Sequence, residues 1–295
     1  MEQVPLTILS EHRCHLGEGP VYDPASRSAW WFDILERKLF EADIAAGSVT
    51  VRDLPLMASV LAPIDEARQL LAAENGLYVR EVATGTLTLL QAFPDADPRL
   101  RSNDGRVHPS GALWIGTMGR KAEEKAGSIW WFREGEIRRI YLGITIPNAI
   151  CFSPDGRAGY WTDTNEGILW RVDLDPETGL PAGEPAIFFD HRGGVGGLDG
   201  AVVDAEGHVW CARWGGSCVD RYAPTGARVR TVRVPASRPS CPAFVGASLD
   251  RMLVTTASEG MSDEDKAAEE GWGRTYLLDV GVTGLPEPRV KAFAS

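Results

Sequence analysis

The feature that most constrains the fold of this chain is a turn that recurs six times at nearly even spacing. In each copy an apolar strand precedes the turn and a second strand follows it, as in VYDPASRSAWWFD, VHPSGALWIGT and CFSPDGRAGYWTD. The copies are 42, 43, 45, 51 and 44 residues apart, counted between their first turn residues, which are Asp23, Asp65, His108, Ser153, Asp204 and Ser248. This period is typical of one blade of a β-propeller.

Each repeat also contains further strand-like segments, such as KLFEADIAAGSV and ILWRVDLDPETG, so that one unit has about four short strands. Six units use nearly all 295 residues, and helical periodicity is scarce. The sequence therefore predicts an all-β chain that folds as a single six-bladed β-propeller domain of four-stranded blades over residues 1–295. We expect the N-terminal strand near PLTILSEH to complete the last blade and close the ring. A β-sandwich would require the even spacing to be coincidental.

The composition limits the partners of the chain. Its formal net charge of −11 argues against binding to nucleic acid or to an anionic membrane surface, since both need a basic face. No apolar run is long enough to span a bilayer, and MEQVPLTILSEHR does not have the pattern of a signal peptide. Five scattered cysteines without a CxxC pair are expected to be reduced thiols, which predicts a cytoplasmic protein without a cysteine zinc site.

One register position repeats in every blade. The residues five positions before the six turns are Glu18, Val60, Asn103, Asn148, Asp199 and Ala243. Because the innermost strands of a propeller line its central channel, we expect the four polar members of this set to converge at one end of that channel. Any one of them alone would more simply cap a strand end through a local hydrogen bond. Four in one register favour a site for a hard divalent cation, which prefers oxygen ligands.

Residues near this register are candidates for contacts with a substrate. Arg101 lies two positions before Asn103, so strand alternation places both on one face. Its guanidinium could hold a substrate carbonyl or hydroxyl groups, or it could form a surface ion pair. Trp214 and Trp272 are candidate walls for a pocket the size of a sugar.

Several of these segments carry a family likeness. The segments LGEGP (16–20), RSNDGRVHPSGALWIGTM (101–118), PNAICFSPDG (147–156), LDGAVVDAEGHVWCARWGG (198–216) and ASEGMSD (257–263) together resemble the SMP-30/gluconolactonase family, which includes regucalcin and bacterial sugar lactonases. The likeness covers essentially the full length. It implies a six-bladed propeller with one divalent metal ion at the channel entrance.

The resemblance also implies roles for individual residues. It implies that Glu18, Asn148 and Asp199 bind the metal, that Arg101 and Asn103 contact the substrate, and that Asp199 acts as the general base in the hydrolysis of an aldonolactone. The expected cofactor is calcium, with zinc, manganese, magnesium or iron(II) as alternatives. The expected partner is a small sugar lactone, and the expected state is a monomer or a weak homodimer.

The chain departs from the family pattern at one position. Animal members have a substrate-contacting glutamate two residues after the methionine of GTM, and this chain has Arg120 there, in GTMGRKAEEKAG. Their substrate preference therefore cannot be carried over. Two other functions stay open at this point. One is hydrolysis of organophosphate triesters on the same scaffold, and the other is a non-catalytic, calcium-binding regulatory propeller. A WD40-type interaction platform is disfavoured because the Gly-His and Trp-Asp signature is missing from the repeats.

Overall fold

The computed structural model describes residues 1–94 and 97–294, and within these residues six four-stranded antiparallel sheets form the blades of a β-propeller. The six blades predicted from the repeat are confirmed. Each blade uses the recurring turn to join its innermost strand to the second strand. This hairpin occurs in every repeat because its turn residues are flanked on both sides by apolar strand formers.

The strands follow one another in chain order from the inside of each blade to its outside. Blade 1 consists of β2 (Gly17–Asp23), β3 (Ser28–Asp33), β4 (Lys38–Asp43) and β5 (Ser48–Asp53), and blade 2 consists of β6 (Ala58–Pro63), β7 (Arg68–Ala73), β8 (Gly76–Glu81) and β9 (Leu87–Ala92). Blade 3 consists of β10 (Leu100–Val107), β11 (Leu113–Gly119), β12 (Gly127–Arg133) and β13 (Glu136–Ile144), and blade 4 consists of β14 (Pro147–Phe152), β15 (Ala158–Asp163), β16 (Ile168–Asp173) and β17 (Ala186–Asp190). Blade 5 consists of β18 (Gly197–Val203), β19 (Val209–Trp214), β20 (Cys218–Tyr222) and β21 (Arg228–Arg233), and blade 6 consists of β22 (Pro239–Val245), β23 (Arg251–Thr256), β24 (Thr275–Leu278) and β1 (Leu6–Ser10).

Blade 6 closes the ring by combining both ends of the chain. Strand β1 pairs antiparallel with β24, so the N-terminal strand is the outermost strand of the last blade, as predicted. The innermost strands contact one another around the ring in the order β2, β6, β10, β14, β18, β22 and back to β2. Their first residues therefore surround one end of a central channel, and their last residues surround the other end.

The apolar core lies between the faces of neighbouring blades rather than in the channel. Between blades 1 and 6, Trp31 stacks on Phe40 with ring centroids 5.1 Å apart, and both belong to one cluster with Leu253 of β23. Trp114 of blade 3 packs edge-on against Phe152 of blade 4 in a second cluster. Because the blades bury their apolar side chains against each other, the channel wall is free to carry polar side chains.

Every innermost strand has an irregularity of register close to the same end of the channel. The shifts lie between Glu18 and Val21, Ala58 and Val60, Ser102 and Gly105, Asn148 and Cys151, Leu198 and Ala201, and Pro239 and Pro242. A bulge breaks the strict alternation of side chains and bends the strand. Consecutive residues can then both point toward the channel.

Two segments outside the blades complete the fold. The helix α1 (Asp263–Ala268) begins after Ser262, whose Oγ accepts a hydrogen bond from the backbone N of Asp265 at 3.1 Å. The C-terminal segment crosses the end of the channel where the innermost strands finish, and there the backbone N of Val290 donates to the carbonyl of Pro63 at 2.9 Å. Within residues 1–94 and 97–294, no helix is long and apolar enough to cross a membrane.

Substitution of Leu253 would test whether apolar packing between blades stabilises the closed ring. Leu253 is fully buried between blades 6 and 1, so Leu253→Ala removes apolar contacts and leaves a cavity in the blade that the N-terminal strand completes. We expect the free energy of unfolding to fall by about 2–5 kcal/mol. Leu142→Ala is the matched control because Leu142 is 70% exposed, and it should change this free energy by less than about 0.5 kcal/mol. Urea unfolding followed by tryptophan fluorescence measures both, and equal effects would contradict the packing argument.

Candidate active site at the mouth of the central channel

A cavity of about 400 Å³ opens at the end of the channel where the innermost strands begin. Its wall comes from most of the blades and mixes charged, amide and apolar side chains. The residues that line it include Glu18, Arg101, Asn103, Arg120, Lys121, Asn148, Thr164, Asp199, Trp214, Arg238 and Glu259. The four polar residues of the repeated register therefore line one cavity, together with Arg101.

A chain of hydrogen bonds joins the predicted site residues across three blades. Arg101 donates from Nη1 to Oδ1 of Asn103 at 2.7 Å, and Asn103 donates from Nδ2 to Oδ1 of Asn148 at 2.8 Å. Asn148 donates from Nδ2 to Oγ1 of Thr164 at 2.9 Å, and Thr164 donates to the carbonyl of Leu198 at 2.7 Å. Arg101 is buried, and it forms no ion pair at the surface with any residue of 1–94 or 97–294. The relay fixes the orientation of both amide groups.

Glu18 is held by the chain segment that enters β2. The carboxylate of Asp33 accepts hydrogen bonds from the backbone N of His15 at 2.7 Å and from that of Leu16 at 3.1 Å, which fixes the approach to Glu18. The next residue, Gly19, has φ +57°, and a Cβ there would lie 2.0 Å from the carbonyl oxygen of Ser59. A glycine is therefore required where the strand turns Glu18 into the channel.

Asn148 is held in the same way in blade 4. The carboxylate of Asp163 accepts hydrogen bonds from the backbone N of Thr145 at 2.7 Å and from that of Ile146 at 3.1 Å. The residue after Asn148 is Ala149, which has φ +55°, in the left-handed region that non-glycine residues seldom adopt. Blades 1 and 4 thus use one backbone device to present a carboxylate and an amide to the same cavity.

Asp104 is a buried carboxylate that the sequence interpretation missed. Its Oδ1 accepts from the backbone N of Gly105 at 2.8 Å and its Oδ2 from that of Ile150 at 2.7 Å. Strict alternation would turn Asp104 away from the face that carries Asn103, but the register shift between Ser102 and Gly105 interrupts that alternation. The available signal was the carboxylate in SNDGR directly after a site residue.

The buried carboxyl groups shift one another's pKa values. Burial, followed by the charge of Asp104, raises the pKa of Glu18 to about 8. Burial, followed by the charge of Glu18, raises the pKa of Asp199 well above its usual value. Burial also raises the pKa of Asp104 to about 6, although the Arg106 guanidinium opposes this shift. Without a bound cation, these shifts favour the protonated forms of Glu18 and Asp199 at neutral pH, where both groups would be ionised in water.

The donor chemistry of the cluster fits a divalent cation. Glu18 and Asp199 offer carboxylate oxygens, and both are buried close enough to repel each other when ionised. Oδ1 of Asn148 accepts one hydrogen bond from Asn103, and a carbonyl oxygen has a second lone pair that can bind a metal. Two carboxylates and one amide oxygen are ligands that hard cations prefer, and a positive charge between the carboxylates would remove their repulsion.

The remaining candidates from the sequence differ in whether they line the cavity. Within the described residues, Val60 and Ala243, the apolar members of the register, do not line the cavity, whereas Trp214 does. Trp272 does not belong to the described wall, so the interpretation of this residue as a pocket wall is wrong. Its ring packs against the Arg13 guanidinium, 4.4 Å from the ring centroid. The local sequence EGWGR gave no sign of this packing.

The fold and the cavity define a class of protein, the six-bladed propellers with buried carboxylates and amides at one end of the central channel. A sequence model described as the SMP-30/Gluconolactonase/LRE-like region matches residues 16–258. The chain belongs to this family, as its motifs indicated.

Relatives with full-length similarity support this assignment. The chain is 50% identical over 280 residues to a protein of Rhizobium meliloti (strain 1021) assigned as a sugar lactone lactonase, and the match covers 95% of each chain. It is 32% identical to the pentonolactonase XacC of Haloferax volcanii, with 96% of this chain and 97% of that protein covered. The crystal structure of regucalcin from Agrobacterium tumefaciens, described as a calcium-binding protein, is 49% identical and superposes with a TM-score of 0.96 over 97% of both chains.

The raised carboxyl pKa values predict how the metal-free protein responds to pH. The folded state keeps protons that the unfolded chain releases, and this difference contributes to the free energy of unfolding. For Glu18 the contribution is fully present below pH 4.5 and is lost as pH rises through about 8, where the carboxyl group also ionises in the folded state. Asp199→Asn removes one of the repelling charges. We therefore expect it to raise the free energy of unfolding at pH 9 by about 1–3 kcal/mol, and by much less at pH 5.

The measurement is thermal and urea unfolding in the presence of a chelator at both pH values. The matched control is Asp250→Asn, at an exposed position, which should leave the pH dependence unchanged. A variant Asp199→Asn that is less stable than the unaltered protein at pH 9 would show that the buried carboxylates do not repel each other.

Proposed function

We propose that this chain is a divalent-metal-dependent hydrolase that opens sugar lactones to aldonic acids. The observation that carries the proposal is the convergence of Glu18, Asn148 and Asp199 at the mouth of a cavity large enough for a sugar. The family supports the same reaction, since relatives matched over nearly the whole chain are named as sugar lactone lactonases and pentonolactonases. No relative identifies which lactone this chain uses.

Glu18, Asn148 and Asp199 would hold the cation. Calcium is the first candidate because all three ligands are oxygens, and the regucalcin of A. tumefaciens is described as calcium-binding. When bound, the cation supplies a Lewis acid that polarises the lactone carbonyl and stabilises the negative charge that develops on its oxygen. Zinc, manganese, magnesium and iron(II) are the competing ions for the same ligand set.

Asp199 acts as the general base. Its carboxylate takes a proton from a water molecule as the water oxygen attacks the lactone carbonyl carbon. The bond between that carbon and the ring oxygen then breaks, and the ring oxygen becomes a hydroxyl group by taking up the proton that Asp199 removed from the water. The product is the open-chain aldonic acid. Because Asp199 is 4% exposed and its pKa is raised, a neighbouring positive charge is needed to keep its carboxylate ionised at neutral pH.

Arg101 and Asn103 orient the sugar. Asn103 is fixed by hydrogen bonds on both sides, from Arg101 to its Oδ1 and from its Nδ2 to Asn148. Arg101 also lines the cavity, and a guanidinium carries more N–H groups than these contacts use, so it can donate to an oxygen of the sugar.

Lactone turnover should depend on a bound cation. After chelation, the protein should hydrolyse no lactone faster than buffer does, and adding back calcium or one of the competing ions should restore activity. A pH indicator follows acid release from a panel of pentono- and hexonolactones. Paraoxon in a parallel assay tests organophosphate hydrolysis instead. Saturable metal binding without turnover of either substrate class would favour a non-catalytic regulator and contradict the proposal.

Substitutions of the two carboxylates, Asp199 and Glu18, should lower the lactonase activity for different reasons. Asp199→Asn keeps a ligand oxygen and removes the base, so kcat should fall by about 10²–10⁴-fold at saturating metal. Glu18→Gln removes a charged ligand, so it should weaken metal binding, and excess metal should recover part of its activity. Metal analysis of the purified variants confirms occupancy. A fully loaded Asp199→Asn variant with an unaltered kcat would exclude Asp199 as the base.

A further inference from the structure

Positive side chains are concentrated on the blade 3 side of the cavity. Arg101 lies in β10, and Arg120 and Lys121 follow β11, so all three come from one blade of a chain whose net charge is −11. Burial lowers the pKa of Arg101, the carboxylates of Glu259 and Glu18 oppose this shift, and the charge of Arg120 adds to it. Since a cation held by Glu18 and Asp199 would offset those two carboxylates, an anionic group bound beside the positive side chains of blade 3 would be stabilised.

Arg101 is the most buried member of this group. It is 5% exposed, and within the described residues its hydrogen bonds go only to neutral oxygens, the carbonyl of Ser102 and Oδ1 of Asn103. Other buried arginines are neutralised differently. Arg106 and Arg213 each pair with a carboxylate, while Arg80 lies outside the cavity wall and donates to an amide oxygen. The charge of Arg101 therefore faces the cavity without a paired carboxylate.

Lys121 lies on an ordered loop at the same side of the cavity. Its backbone N donates to Oε2 of Glu123 at 3.0 Å, and further along the loop the backbone N of Lys125 donates to Oγ1 of Thr145 at 3.1 Å. The Lys121 ammonium forms no ion pair with any residue in the described ranges, whereas the neighbouring Arg120 is paired with a glutamate at 2.6 Å. The loop thus presents an exposed, unpaired ammonium group at the rim of the cavity.

The opposite wall is balanced. Glu259 follows β23 in blade 6, across the ring from blade 3, and it lines the cavity together with Arg238. Arg238 donates to the backbone carbonyls of Glu259 and Gly260 and packs over the Trp214 ring. One positive and one negative side chain therefore meet on this wall, and the other two carboxylates of the cavity, Glu18 and Asp199, are those that would hold the cation.

The hydrogen-bond chain distinguishes two ends of the substrate site. One end is at Asn148, where the lactone carbonyl would react, and the chain continues through Asn103 to Arg101 at the other end. We propose that the natural lactone carries an anionic oxygen group, such as a carboxylate, phosphate or sulfonate, at its end remote from the carbonyl. Arg101 and Lys121 bind this group. The inference rests on the proposed lactonase function and defines the class of its substrate.

The test compares lactones that differ only in this terminal group, with the metal-loaded enzyme. Galactono-1,4-lactone and galactaro-1,4-lactone form one pair, and gluconolactone with its 6-phosphate and 6-sulfonate forms a second set that separates the three kinds of anion. We expect kcat/KM to be at least about tenfold higher for one charged member than for its neutral counterpart. Lys121→Gln should lower this charged-to-neutral ratio by about tenfold, and Lys121→Arg should retain most of it.

Lys125→Gln is the matched control. Lys125 carries the same charge on the same loop, is exposed, and lies outside the cavity wall, so its removal should leave the ratio unchanged. Equal or higher kcat/KM for the neutral lactones would overturn the inference and leave the lactonase function intact, as would an unchanged ratio in a folded Lys121→Gln variant. If the metal-loaded enzyme hydrolyses no lactone of either kind, the proposed function itself fails and the inference fails with it.

Discussion

The repulsion between buried carboxylates at the centre of the ring is the constraint on which the rest of the site depends. Closure of the propeller brings Glu18, Asp104 and Asp199 from three blades into one low-dielectric region. Asp104 is stabilised by two backbone N–H groups and by the nearby Arg106 guanidinium. Glu18 and Asp199 have less compensation, so in the absence of a cation they are stable mainly in protonated form. A propeller can tolerate this arrangement because its apolar core lies between the blades, away from the channel.

The blade repeat also supplies the precision that such a site needs. A bulge at the same level of each innermost strand turns side chains into the channel, and aspartates at the ends of second strands fix the entering backbone in blades 1 and 4. The amides are oriented by a relay that ends at Leu198, next to Asp199. Ligand positions are therefore set by backbone geometry shared among blades, while the identity of each residue decides whether a blade contributes an oxygen or, as with Val60, an apolar side chain. The same scaffold can change its chemistry through few substitutions.

Much of this could be predicted from the sequence because the repeat fixes a common register. Counting five residues back from each turn found Glu18, Asn103, Asn148 and Asp199 and separated them from two apolar positions. Asp104 escaped because alternation is the rule for a regular strand, and the bulge beside it leaves no clear mark in the sequence. Two further contacts were also not predicted: Trp272 packs on Arg13, and Arg120 pairs with Glu74. In both contacts the two residues are distant in the chain. Such contacts depend on loop conformation, which local patterns do not specify.

Proton release on metal binding tests the central claim most directly. If Glu18 and Asp199 share a cation site, the metal-free protein should bind one calcium ion per chain and release between about one and two protons at pH 7, because both carboxyl groups must lose their protons to bind a metal. Calorimetric titration in buffers of different ionisation enthalpy measures both numbers, and the release should become smaller as pH rises above about 8. Absence of saturable binding by calcium or any of the competing ions, or binding without proton release at pH 7, would contradict the account.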